Sequence, residues 1–207
     1  MSALAARGVC KSFGRHKVLA GLDIDVTAGE LVAVVGENGS GKTTLLRVLA
    51  GDLRADAGSV ACSDRPGYCP QTVVLDDALT VDQHVRYFQA AYGISSPSRA
   101  GELIERLGYA ACRGQRAGTL SGGTKQKLSL TLALMHDPPV LLLDEPYQGF
   151  DWQTYLAFWE LTDELRARGT ATVVISHLVF EQERFDRVFQ LTDGQIHEEA
   201  SRHAPAT

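Results

Sequence analysis

An α/β fold built around a mainly parallel sheet is what this sequence predicts, on three observations. The runs Leu31 to Val35 and Val140 to Leu143 are continuously apolar, the pattern of strands buried on both faces. Helix start and stop signals alternate with such runs. A glycine-rich stretch, Gly36 to Thr43, follows the first run directly and opens a helix.

The elements follow in order. Leu22, Ile24 and Val26 alternate with Asp23 and Asp25, so this segment reads as a half-buried strand, preceded by a hairpin turn at Gly14-Arg15-His16. Ala28-Gly29 is a second turn. A helix is expected over Lys42 to Leu49, stopped by Gly51. Gly58 to Cys62 and Gly67 to Cys69 are short strands. Thr80-Val81-Asp82-Gln83 has capping-box spacing and predicts a helix to about Tyr92, stopped by Gly93. Further helices are expected near Pro97 to Leu107 and from about Gly123 to before Pro138. Asp151 should cap a helix over Trp152 to Arg168, with Gly169 as its stop. Thr172 to Ile175 is a strand, and Val188 to Leu191 with Gln195 to His197 form a hairpin around Asp193-Gly194. Only helix signals occur between about Gln71 and Leu120. The expected organisation is one domain over 1–207: a core of about 1–71 and 121–199, a helical insert of about 72–120, and a loose tail at 200–207.

Composition narrows the function. The chain has 207 residues, 44% hydrophobic and 22% charged, with a net charge of −5. An acidic chain without clustered Lys and Arg is poorly suited to neutralising nucleic-acid phosphates, so no nucleic acid is expected as partner. No apolar run approaches the roughly 18 residues that span a bilayer, and Met1 to Arg7 lacks the apolar stretch of a signal peptide. A cytoplasmic protein is expected. Cys10, Cys62, Cys69 and Cys112 have no C-x-x-C pairing and read as reduced thiols. Asp76-Asp77 reads as a solvated pair of loop charges.

The most specific feature is Gly36-Glu37-Asn38-Gly39-Ser40-Gly41-Lys42-Thr43, a full G-x-x-x-x-G-K-[ST] between a buried strand and a helix. Glycines let the backbone curl so that its N–H groups face phosphates. The helix N-terminus adds positive potential. Lys42 can reach the β- and γ-phosphates, the Thr43 hydroxyl can ligate Mg²⁺, and Thr44 can touch the α-phosphate. Val140-Leu141-Leu142-Leu143-Asp144-Glu145-Pro146 is an apolar strand ending in paired carboxylates. Asp144 can hold Mg²⁺, and Glu145 can orient or deprotonate a water aimed at the γ-phosphate.

Leu120-Ser121-Gly122-Gly123-Thr124-Lys125-Gln126 resembles the LSGGQ signature of ABC ATPases and lies about 20 residues before the paired carboxylates. Other marks similar to the family's occur in order. Gln71 looks like the Q-loop glutamine, a Mg²⁺ ligand and catalytic contact. Gly149-Phe150-Asp151 looks like the D-loop at the dimer interface, His177 after Ser176 like the switch histidine, and Phe13 like the aromatic that stacks on adenine. Thr124, Tyr147-Gln148 and Phe150 depart from the usual pattern. The resemblance, covering about residues 4–198, implies a P-loop NTPase core with an N-terminal antiparallel β subdomain and an inserted α-helical subdomain. It implies an ATPase that uses ATP and Mg²⁺. In the family, Ser121, Gly122 and Gly123 of one subunit would close over ATP held by Phe13, Gly36 to Thr44, Asp144, Glu145 and His177 of another. The expected partners are a second cassette, identical or different, and integral membrane transporter subunits. They would hold the chain at the inner face of the cell membrane. The compact chain, without an appended C-terminal domain, leans towards export. The alternative is a non-transport ABC ATPase acting on nucleic acid or the ribosome. A P-loop GTPase is excluded, because the Asn-Lys-x-Asp guanine reader is absent and Asn38 is the sole Asn.

Overall fold

The computed structural model describes residues 2–176 and 183–199. Two sheets organise it. β1 (Ser2–Phe13), β2 (His16–Thr27) and β4 (Ala57–Cys62) form an antiparallel sheet in the order β2-β1-β4. The second sheet has the order β5-β6-β7-β3-β8-β9, from β3 (Leu31–Val35), β5 (Gly67–Cys69), β6 (Val140–Asp144), β7 (Ala171–Ile175), β8 (Arg187–Thr192) and β9 (Gln195–Glu198). Its pairings are parallel except β8 with β9, which close a hairpin at Asp193-Gly194.

The apolar runs explain the layering. Along β6, Leu141 and Leu143 point into one hydrophobic cluster, and Val140 and Leu142 into another. β3 behaves likewise, with Leu31 on one side and Val32 and Val34 on the other. Successive side chains alternate across a strand, so a strand covered on both faces must be apolar throughout. One face is covered by α1 (Lys42–Leu49) and the buried residues of β1 and β2, including Leu22, Ile24 and Val26. The other is covered by α2 (Val81–Tyr92), α3 (Ser98–Arg106), α4 (Gly122–Leu134) and α5 (Trp152–Ala167). Val85, Leu103, Ile104 and Leu107 from the helical stretch share this cluster with Leu128 and Leu143.

The caps form as the spacing requires. Thr80 Oγ1 accepts from the Gln83 N–H at 3.2 Å, and Gln83 Oε1 accepts from the Thr80 N–H at 2.8 Å. Thr80→Ala should therefore cost about 1 kcal/mol of stability, read by urea denaturation. An unchanged midpoint would show that this cap is dispensable. The exposed loop before it also makes two specific contacts. Asp77 pairs with Lys125 at 3.3 Å, and the Asp76 N–H donates to His84 Nε2 at 3.1 Å. Both carboxylates remain exposed, as expected from the sequence. All four cysteines are free. Burial pushes the Cys69 thiol up to about 12, against a weaker opposing bond to Ser129.

Candidate active site

The phosphate loop leaves the C-terminal end of β3 and enters α1. Its glycines are required by space as well as by φ. Gly36 has φ 155°, and a Cβ there would lie 2.6 Å from the Leu191 carbonyl oxygen. Gly41 has φ 103°, and a Cβ would lie 2.7 Å from Val18 Cγ1. The Ser40 N–H donates to the Glu37 carbonyl at 3.1 Å, closing the turn. Lys42 is buried at 7% exposure, and its Nζ donates to the carbonyls of Gly36 and Glu37 at 2.8 and 2.9 Å. Burial draws the Lys42 amine below the usual lysine range, while Glu145 and Asp144 act in the opposite direction. These two carboxylates are thus close enough to be felt by the loop lysine.

β7 lies between β3 and β6 in the sheet, so three parallel strands deliver the loop, the end of β7 and the paired carboxylates to one rim. Asp144 is 1% exposed at the last position of β6. Glu145 follows at φ 49°, a left-handed conformation for a residue with a side chain. Such a conformation costs about 1–3 kcal/mol and persists where surrounding structure enforces it. Here the Glu145 N–H donates to the Ile175 carbonyl at 3.1 Å. Gln71 arrives from β5, whose Cys69 is in register with Leu143.

A cavity of about 340 Å³ lies at this rim. It is lined by Asn38, Gly39, Gly41, Lys42, Thr43 and Thr44, together with Gln71, Asp144 and Glu145. Gly36, Glu37 and Ser40 belong to the loop but do not line the cavity. His16 and Val18 do line it, and no spacing or motif marks them. They enter through the β1–β2 hairpin, which lies over the loop. Phe13 stands at that hairpin opposite His16, is 51% exposed, and is outside the cavity lining. It is therefore not a core residue. His177 lies outside the described residues.

The residues suit a Mg²⁺-nucleotide. A hydroxyl, an amide and one carboxylate, from Thr43, Gln71 and Asp144, are oxygen donors fit for a hard cation that keeps phosphate and water ligands. Among the described residues there is no cluster of three or more His, Cys, Asp or Glu that could cage a metal alone.

Ser121, Gly122, Gly123 and Asp151 do not line the cavity. Ser121 caps α4: its Oγ accepts from the Thr124 N–H at 3.2 Å and lies 2.9 Å from Thr124 Oγ1. The unusual Thr124 thus serves the same turn. A Cβ on Gly123 would lie 2.4 Å from the Gly149 carbonyl oxygen, so the signature turn packs directly on the Gly149 turn. Asp151 caps α5, accepting from the Thr154 N–H and hydroxyl, each at 2.9 Å, and pairs with Lys127 at 3.3 Å. The Thr154 N–H is the largest influence holding the Asp151 carboxyl down to about 2.

A glycine-lined phosphate loop facing a strand that ends in two carboxylates defines a P-loop nucleotide hydrolase. The ABC transporter family model matches residues 19–148, and the chain belongs to this family as an ATP-hydrolysing cassette. It is 33% identical to ABC transporter G family member 20 of Dictyostelium discoideum over 94% of the chain, but spans only 29% of that protein. The Nod factor export ATP-binding protein I of Burkholderia lata is 35% identical, covering 96% of the chain and 70% of that protein. The aliphatic sulfonates import ATP-binding protein SsuB of Pseudomonas putida is 34% identical, covering 93% and 74%. Among solved structures, an ATP-binding subunit of an ABC transporter superposes with TM-score 0.89 at 26% identity, covering 96% of this chain and 90% of that one. The dimeric cassette MJ0796 has the same fold, with TM-score 0.87 at 24% identity, covering 97% and 100%.

Proposed function

We propose that this chain binds MgATP between two cassettes and drives transport through separate membrane-spanning subunits. The observation that carries the reading is the separation of two half-sites on one chain. Lys42, Thr43, Gln71, Asp144 and Glu145 share a cavity that Ser121, Gly122 and Gly123 do not reach. The N–H groups that open α4 form an anion site, which a second chain's γ-phosphate would satisfy. A two-fold, head-to-tail pairing completes both cavities at once.

Within the cavity, Lys42 exchanges its loop carbonyls for β- and γ-phosphate oxygens, and the loop N–H groups hold the rest of the chain of phosphates. Thr43 and Asp144, with Gln71, would hold Mg²⁺, which would supply charge neutralisation on the phosphates. Glu145 takes the proton of the attacking water, and His177 contacts the γ-phosphate. Phe13 stacks on adenine from the exposed hairpin. Asp151 reaches the partner from the turn beside the signature.

A second cavity, a groove of about 760 Å³, supports docking of a membrane subunit. Tyr68, Val74, Phe88 and Tyr92 line it, and Thr43 and Gln71 line both it and the nucleotide cavity. An apolar partner segment seated there would touch the residues that sense the nucleotide. No helix among the described residues is long and apolar enough to cross a membrane, which fits a peripheral, cytoplasmic position held by that partner. The net charge of −5 argues against nucleic acid as partner.

Export is the direction carried forward as the proposal, although relatives of similar identity include both an export protein and import proteins. A solute-binding protein encoded beside this chain would overturn it in favour of import. The dimer is tested with the hydrolysis-impaired Glu145→Gln chain. Light scattering should report a monomer without nucleotide and a dimer with MgATP. A monomer throughout, with MgATP demonstrably bound, would sink the two-chain site.

A further inference from the structure

The geometry points to Tyr147 as a positioning residue for hydrolysis: its hydroxyl latches the Glu145 turn to Ser176 at the end of β7. The inference rests on the reading of Glu145 as the general base. Tyr147 Oη lies 2.5 Å from Ser176 Oγ, and either hydroxyl can donate. Ser176 is 2% exposed and Tyr147 is half-buried, so the bond is partly shielded from water, which strengthens it.

Three further observations make it a latch rather than a chance contact. The Glu145 turn is already tied to β7 once, through the Glu145 N–H and the Ile175 carbonyl at 3.1 Å. The hydroxyl bond adds a second tie one residue beyond the end of β7 and two residues past Glu145, so the turn is held against rotation about the first. The turn is closed internally by the Gln148 N–H to the Glu145 carbonyl at 3.2 Å. The Tyr147 ring is itself held, edge-on to Tyr155 and Phe158 at centroid distances of 5.7 Å and tilted to Trp159 at 6.0 Å. An aromatic ring in such a cluster has little freedom, so its hydroxyl is a fixed point.

The left-handed Glu145 needs enforcement, and this double tie supplies it. It also fixes Glu145 relative to the strand end from which His177 follows Ser176 in sequence. In this proposal Tyr147 acts through the placement of the carboxylate and not on the reacting atoms.

The test is a double-mutant cycle on the full chain, with Glu145→Gln measured alongside. Tyr147→Phe keeps the ring and removes the latch; Ser176→Ala removes it from the other side. Each should lower kcat on the order of tenfold, because a misplacement of about 1 Å can cost as much as 100-fold. KM for MgATP should stay within about twofold, since uniform binding is untouched. The double variant should be no slower than either single one, the mark of one shared interaction. Ser176→Thr, which keeps a hydroxyl, should restore most of kcat. Native kcat in Tyr147→Phe, or additive losses in the double variant, would overturn the latch while a slow Glu145→Gln left the base assignment standing. Native turnover in Glu145→Gln would overturn both. A lowered melting temperature with native kcat would mean that Tyr147 only packs, and would also overturn the proposal.

Discussion

Glu145→Gln should slow ATP hydrolysis by about 100-fold or more while MgATP still binds, the usual scale for loss of a general base. The substitution preserves shape, so the result bears on chemistry alone. The position of residue 145 is set by its main chain, through the Ile175 carbonyl and the turn to Gln148. Glutamine can occupy the same left-handed conformation and fill the same space, but it cannot accept a proton at neutral pH. Electrostatics favour retained binding. Removing one negative charge beside the γ-phosphate lessens repulsion, and Asp144 remains to support the Lys42 ammonium. Single-turnover hydrolysis with calorimetric affinity on the same sample checks both halves. A variant that turns over at the native rate would remove Glu145 from the mechanism.

Lys42→Ala should weaken MgATP binding on the order of 10–100-fold, from the roughly 1.5–3 kcal/mol carried by a hydrogen bond to a charged group. The lysine donates to both the Gly36 and Glu37 carbonyls, so alanine also withdraws order from the loop. Asp144 and Glu145 would then face incoming phosphates without an interposed cation, and repulsion adds to the lost bonds. Both effects act in one direction. Calorimetry reads the loss directly, and a thermal melt without nucleotide separates it from unfolding. Unchanged affinity would count against the phosphate-loop assignment.

Much of this architecture was legible because its signals are local. The helix expected over Lys42 to Leu49 has those bounds, and the Thr80–Gln83 spacing becomes a reciprocal cap. Asp151 caps its helix as its residue type suggests. The uniformly apolar strands announced burial on two faces. What escaped the sequence is what depends on distant contact. His16 and Val18 join the cavity because a hairpin folds over the loop, and no spacing rule marks them. Thr124 looked like a departure from a motif and is bonded to the motif's own serine. Tyr147 looked like another, and its partner is 29 positions away. The aromatics of α2 likewise divide by contact rather than by spacing: Phe88 and Tyr92 line the groove, while Tyr87 is 65% exposed outside it.

The contact between Gly123 and Gly149 has a mechanical consequence. With no room for even a methyl group between them, the start of α4 and the turn leading into α5 cannot slide across one another without first separating. The Asp151–Lys127 ion pair, with Asp151 largely exposed, adds a weaker contact between the same two helices. Any displacement imposed on the serine-glycine turn by a ligand is therefore handed to α5 as a push rather than absorbed as local slack.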